Sequence, residues 1–166
     1  MNSFRSKLKP LKGLKAVVDR LRRRGKKIVL ANGCFDLLHV GHVRYLAEAK
    51  SLGDLLIVAV NGDRSVRRLK GKGRPLMPES ARAELIAGLE CTDYVIIFRE
   101  SNVERLLRAI RPDVHVKGGD YTSDTVPERA VVKSYGGRVA IAGGPKVRST
   151  RDLIEKVKRV GGAHGD

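Results

Sequence analysis

Five short apolar runs, each leading into a stretch with helical spacing, constrain this chain more than any other feature. Residues 27–31, 55–60, 94–98, 114–116 and 138–142 are largely unbroken by polar residues. A strand buried on both faces reads that way, and such strands occur where helices cover both sides of a parallel sheet. Between the runs, apolar spacing predicts helices over residues 14–21, 40–51, 63–69, 78–89, 102–110 and 127–135, and a last one to 160 capped by Ser149 or Thr150. Val43, Leu46, Ala47 and Ala49 should face inward on the second helix, and Leu85, Ile86 and Leu89 on the fourth. Strands alternating with helices through right-handed crossovers make an α/β protein: a Rossmann-like, doubly wound, five-stranded parallel sheet with helices on both faces. A length of 166 residues supports one substantial core. The expected layout is a loosely held basic arm at 1–13, a single domain at 14–160 and a frayed tail at 161–166.

The strongest chemical signal is the turn between the first run and the second helix, Asn32-Gly33-Cys34-Phe35-Asp36-Leu37-Leu38-His39-Val40-Gly41-His42. His39 and His42 stand three apart, so a helix starting near Val40 lets both imidazoles reach one point above its first turn. A helix N-terminus leaves about four N–H donors unpaired and carries roughly half a positive charge, which suits an anion. Gly33 lets backbone approach a ligand closely, and Gly41 lets a phosphate lie against the turn. Paired imidazoles and free N–H groups fit a phosphorus centre gaining negative charge in a transition state. In a doubly wound sheet, ligands sit at the carboxyl ends of the strands, where the strand order reverses. Lys117-Gly118-Gly119-Asp120-Tyr121 and Arg148-Ser149-Thr150 also follow strands and can meet the histidine turn there. Lys70-Gly71-Lys72-Gly73-Arg74-Pro75 reads equally as a basic lid over phosphates or as a solvated loop.

Lys and Arg number 34 against 18 Asp and Glu, a formal charge of +16. That balance favours a polyanionic partner: nucleic acid, an anionic membrane surface or phosphorylated small molecules. Cys34 and Cys91 are too few for a disulfide framework or a zinc site. No apolar run approaches the ~18 residues a membrane span needs, so a cytoplasmic protein with free thiols is the expectation.

The segment from Gly33 to His42 resembles the HxGH signature of the nucleotidyltransferase superfamily, in its cytidylyltransferase-like branch. Members transfer a nucleotidyl group from an NTP to a phosphate or phosphorylated alcohol and release pyrophosphate. Arg148-Ser149-Thr150-Arg151 is similar to the branch's second Ser/Thr motif, with Arg151 where many relatives carry a third hydroxyl residue. From about Leu14 to Val157, the strings at 32–36, 69–71, 74–75, 116–121 and 136–137 are similar to the heptose 1-phosphate adenylyltransferase family. In many bacteria that activity is one half of a bifunctional kinase/adenylyltransferase, and the resemblance here implies the stand-alone form. It implies transfer of AMP from ATP, which brings Mg²⁺, to D-glycero-β-D-manno-heptose 1-phosphate, giving ADP-heptose for the lipopolysaccharide inner core or other heptose-containing glycans. A homodimer is the assembly common among relatives.

The acceptor phosphate is already ionised near neutral pH, so catalysis reduces to positioning and charge neutralisation. The resemblance implies His39, His42 and Lys72 as catalytic, with Lys70 as an alternative to Lys72 on the phosphates. Gly33, Cys34, Phe35, Gly41 and Lys70 would line the nucleotide, Gly118 and Asp120 would flank the adenosine, and Arg148, Ser149 and Thr150 would hold its β/γ end. Asn32, Asp36, Arg82 and Lys117 would serve the sugar phosphate. Structural alternatives stand beside three of these: turn chemistry for Asn32, acceptance of backbone N–H bonds for Asp36 and a plain surface charge for Arg82. His115, alternating with valines, reads as a buried, hydrogen-bonded histidine. No dedicated carboxylate cage is expected, because Mg²⁺ takes most of its ligands from phosphates and water. Two rivals stand. Glycerol-3-phosphate cytidylyltransferase shares the HxGH layout. A basic nucleic-acid-binding module fits the charge, but zinc spacing and an RRM-like aromatic motif are missing, so no specific nucleic acid is expected.

Overall fold

The computed structural model describes residues 4–144 and 150–162. Strands β1 (Ile28–Gly33), β2 (Leu55–Asn61), β3 (Tyr94–Phe98), β4 (Val114–Gly118) and β5 (Arg138–Ala142) form one parallel sheet in the order β3-β2-β1-β4-β5. Helices α1 (Leu11–Arg22), α2 (Val40–Ser51), α3 (Asp63–Lys70), α4 (Glu79–Ala87), α5 (Glu104–Ile110), α6 (Arg129–Ser134) and α7 (Thr150–Gly162) complete it. This is the doubly wound α/β architecture that the alternation of runs predicts.

The sheet is covered on both faces because its central strands are apolar along most of their length, with Asn32, Asn61 and Lys117 toward their carboxyl ends and His115 buried within β4. Val29 and Ala31 of β1 pack with Tyr45, Leu46 and Ala49 of α2 and Ala83 and Ile86 of α4. Ile28 and Leu30 pack with Leu14 and Val18 of α1, Leu107 and Ile110 of α5 and Val132 of α6. Ala31 lies opposite Val58 on one side and Val116 on the other. The chain steps outward from β1 through β2 to β3, then returns across β1 to lay down β4 and β5. The order therefore reverses between β1 and β4, opening a crevice above their carboxyl ends.

Several local expectations change. The segment read as a loose arm is docked. Residues Phe4–Lys7 form a 3₁₀ turn, Leu8 pairs with Val95, Lys9 N donates to the Val95 carbonyl at 3.0 Å and Lys7 Nζ to the Leu89 carbonyl at 3.1 Å. β3 is an edge strand with unpaired backbone groups, and the segment covers part of it. Helix α1 consequently starts at Leu11. On α2, Tyr45 faces inward with Leu46 and Ala49, while Val43 and Ala47 are exposed. Leu85 on α4 is exposed too. Asp63 is the first residue of α3 rather than its cap, and α5 begins at Glu104, whose N–H donates to Asn102 Oδ1 at 3.1 Å. β1 and β4 run on to Gly33 and Gly118, carrying the ends of both motifs into the sheet.

Candidate active site

The two histidines are brought together at the switch point. His39 has extended backbone and caps α2: its Nδ1 accepts from Gly41 N at 3.1 Å. A neutral imidazole that accepts at Nδ1 carries its proton on Nε2, so His39 offers a donor on its other edge. The His39 and His42 rings stack with centroids 3.8 Å apart and planes 26° apart. His42 meets the Phe35 ring edge-on at 5.3 Å and 69°. Phe35 itself holds a left-handed backbone, φ 48°, a strained setting for a bulky residue. Its ring folds under Gly33, where a Cβ would come within 3.0 Å of Phe35 Cζ. Gly33 thus makes room for the aromatic ring that backs His42, a need internal to the turn that the sequence assigned to a ligand. Phe35, 4% exposed, is packed into the wall of the turn.

Burial, more than stacking, sets the charge of the pair. Burial first, then the neighbouring His39, lowers the His42 ring to about 4, with the Leu37 backbone pulling the other way. Burial also lowers His39, opposed by the carboxylate of Asp152 in the first turn of α7. At neutral pH both rings are therefore uncharged donors and acceptors rather than a pair of cations, which at 3.8 Å would repel. The neutralising charge expected of them must come from elsewhere. Asp152 was not singled out from sequence; its place directly after the Ser/Thr motif, in the first turn of α7, is the signal it offers.

Asp36 and Arg82 hold the turn. Asp36 is 2% exposed and accepts from Arg74 Nε at 2.5 Å, Leu76 N at 2.8 Å and Met77 N at 3.0 Å. Its desolvation is more than offset by these bonds and the Arg74 charge, which hold the carboxyl below its ordinary range. Of the two roles weighed from sequence this is the structural one, and it leaves neither oxygen for a sugar or a metal. Arg82 is fully enclosed, so it is neither a surface charge nor within reach of a sugar phosphate in this conformation. It donates to the carbonyls of Cys34, Asn61 (2.7 Å) and Met77 (3.0 Å) and to Asp63 Oδ1 (2.8 Å). One guanidinium thereby ties the histidine turn to the end of β2 and the approach to α4. The Cys34 thiol is pushed up by burial, against the pull of Lys70, Arg82 and Arg74, which fits a bystander.

Around this frame the basic loop keeps its charge exposed. Lys70 and Lys72 are exposed, and Lys70 lies near enough to act on Cys34, while Arg74 is anchored on Asp36. On the far side of the crevice Asn32 and Lys117 meet, Nζ to Oδ1 at 3.4 Å. Among the described residues no atom lies within 4 Å of where a Cβ on Gly118 would stand, so the space over it is open. Asp120 is exposed in the turn that follows. Thr150 opens α7, with Arg151 exposed beside it, and Arg148 and Ser149 lie outside the described residues. Among the described residues no group of three His, Cys, Asp or Glu side chains is placed to hold a metal ion, and no helix is long and apolar enough to cross a membrane.

Comparison with known proteins agrees with this geometry. The profile of the cytidylyltransferase-like family matches residues 30–159. The bifunctional protein HldE of Geobacter metallireducens is 52% identical over 157 residues, 95% of this chain and 32% of that protein. HldE of Geotalea uraniireducens is 51% identical over 153 residues, 92% of this chain and 31% of that one. The chain thus spans about a third of the length of these curated relatives. The crystal structure of a lipopolysaccharide core biosynthesis protein from Thermoplasma volcanium superposes with a TM-score of 0.61 at 33% identity, covering 70% of this chain and 94% of that one.

Proposed function

The chain belongs to the cytidylyltransferase-like family, and on that premise we propose that it transfers AMP from ATP to D-glycero-β-D-manno-heptose 1-phosphate, releasing pyrophosphate. The observation that carries this reading is the stacked His39–His42 pair on the first turn of α2, above the point where the strand order reverses. An acceptor phosphate oxygen attacks the α-phosphorus in line, the bond to the bridging oxygen breaks, and pyrophosphate leaves with that electron pair. The neutral rings donate hydrogen bonds to the α-phosphate, His39 through Nε2–H. Cationic support comes from the helix terminus and from Lys70 and Lys72 of the exposed loop. Gly118 and Asp120 flank the adenosine, and Arg148, Ser149 and Thr150 take the β/γ end. Asn32 and Lys117 face the acceptor. Mg²⁺ accompanying ATP would take its ligands mostly from phosphate oxygens and water and would supply charge screening. ATP and a sugar phosphate as substrates place the reaction in the cytoplasm.

The test is His39→Ala assayed for pyrophosphate release with ATP and heptose 1-phosphate. Losing one donor to the developing charge should lower kcat about 10²–10³-fold, with ATP binding within a few-fold of the parent. Turnover above half the parent value would refute the assignment.

A further inference from the structure

Under the carboxyl end of β4, Lys117 sits in a charge cluster whose other members, Glu128 and His115, the steps above leave unused. Lys117 is 9% exposed; its Nζ stands 3.4 Å from Asn32 Oδ1, 3.6 Å from Glu128 Oε1 and 5.0 Å from the centre of the Tyr121 ring. Both polar separations exceed the roughly 2.7–2.9 Å of a formed charge-assisted hydrogen bond. The ammonium is thus neutralised without being saturated. Glu128, 6% exposed, enters from the residue before α6, and its second oxygen is 3.7 Å from His115 Nε2. His115 is wholly enclosed and, contrary to the sequence reading, neither ring nitrogen has a hydrogen-bond partner. Burial pushes the Glu128 carboxyl up, but His115 and Lys117 outweigh it and hold the group at about 2. Tyr45 of α2 also lies near Glu128, its hydroxyl committed to the Val116 carbonyl at 2.7 Å.

A buried ammonium needs opposite charge to offset its lost hydration. Here a carboxylate supplies that counter-charge from one side, at a distance that leaves ammonium hydrogens uncommitted. Asn32 at the end of β1 and the histidine turn adjoin them. We propose that Glu128 is a positioning residue for the acceptor: its carboxylate seats the Lys117 ammonium at the crevice, ready to donate to the phosphate of the incoming sugar phosphate. The inference rests on the function proposed above. It gives Lys117 a partner that the sequence reading did not single out, a carboxylate that never meets the acceptor itself.

Glu128→Gln tests it, with pyrophosphate release followed while ATP and heptose 1-phosphate are varied in turn between about pH 6.5 and 9. The expected result is a KM for heptose 1-phosphate raised about tenfold, with KM for ATP within about twofold. Glu128→Asp should restore part of the affinity. In a Lys117→Met background Glu128→Gln should add less than about twofold, since its effect runs through that ammonium. Should Glu128→Gln alone not fold, the Lys117→Met/Glu128→Gln pair should fold by circular dichroism, the isolated cation being gone; a double variant that stays unfolded overturns the inference. So does a Glu128→Gln enzyme whose two KM values rise together, or whose kcat falls with neither KM changed. A parent chain that transfers no AMP to heptose 1-phosphate refutes the proposed function instead.

Discussion

Asp36→Asn is the sharpest probe of how the histidine turn is built. The carboxylate meets only donors: Arg74 Nε and Leu76 N at one oxygen, Leu76 N and Met77 N at the other. An amide of the same shape keeps one accepting oxygen and turns two hydrogens toward the remaining donor, so whichever way it is placed, one N–H faces an N–H. With the oxygen kept toward Leu76 and Met77, the charge-assisted Arg74 contact is lost in a place with 2% exposure, where water offers little compensation. Such a bond is worth about 1.5–3 kcal/mol and a stranded donor costs about 1–3 kcal/mol more, the two overlapping, so the expected loss is about 2–4 kcal/mol. For a chain of this length that is about 5–15 °C in Tm, and the loop from Lys70 to Arg74, cut from its anchor, should raise KM for ATP several-fold. The pH dependence carries the sign. Because the folded carboxyl lies below its unfolded value of ~3.9, its contribution is complete above that value and is lost as pH falls from there through the folded value. The gap between the two proteins by thermal melting should therefore close in acid. A variant melting within about 2 °C of the parent at neutral pH would refute the anchoring role.

Two further outcomes follow from the same geometry. In an NMR titration of the imidazole C2–H signals, His42 should titrate near 4 and His39 below the ordinary histidine value, and His39→Ala should move the His42 midpoint upward by removing its neighbour. Stability should correspondingly decline as pH falls from ~6.5, where the unfolded ring takes its proton, toward 4, where the folded one does; two midpoints near ~6.5 would contradict the stacked pair. Gly118→Val should leave Tm nearly unchanged, since its side chain meets no atom within 4 Å at Cβ, while KM for ATP rises at least about tenfold; unchanged nucleotide affinity would remove the adenosine from that space.

What could be read from the chain and what could not divide along one physical line, the sequence separation of the partners. The strands were legible because burial on two faces writes itself as a continuous apolar run, and the start of α2 was legible because capping is local: His39 and Gly41 are two residues apart. The inward face of α2 was not. Val43 and Tyr45 are both apolar enough to face a core, and the choice falls to Tyr45 because its hydroxyl finds the Val116 carbonyl 71 residues away. Arg82 and Lys117 show the same limit in the site itself. From sequence each is a basic residue near a motif, and both were assigned to the sugar phosphate. In the fold, the buried ends of strands and turns leave carbonyls that must find donors; three of them, Cys34, Asn61 and Met77, find Arg82, whose remaining strong contact is Asp63. Lys117 is nearly as buried, yet its nearest polar neighbours stand at 3.4 Å and 3.6 Å. A guanidinium whose donors are all but used up fixes the architecture, whereas an ammonium held by charge and short of hydrogen bonds has something left to give a ligand. Donor saturation, which no spacing rule encodes, is what tells the two cations apart.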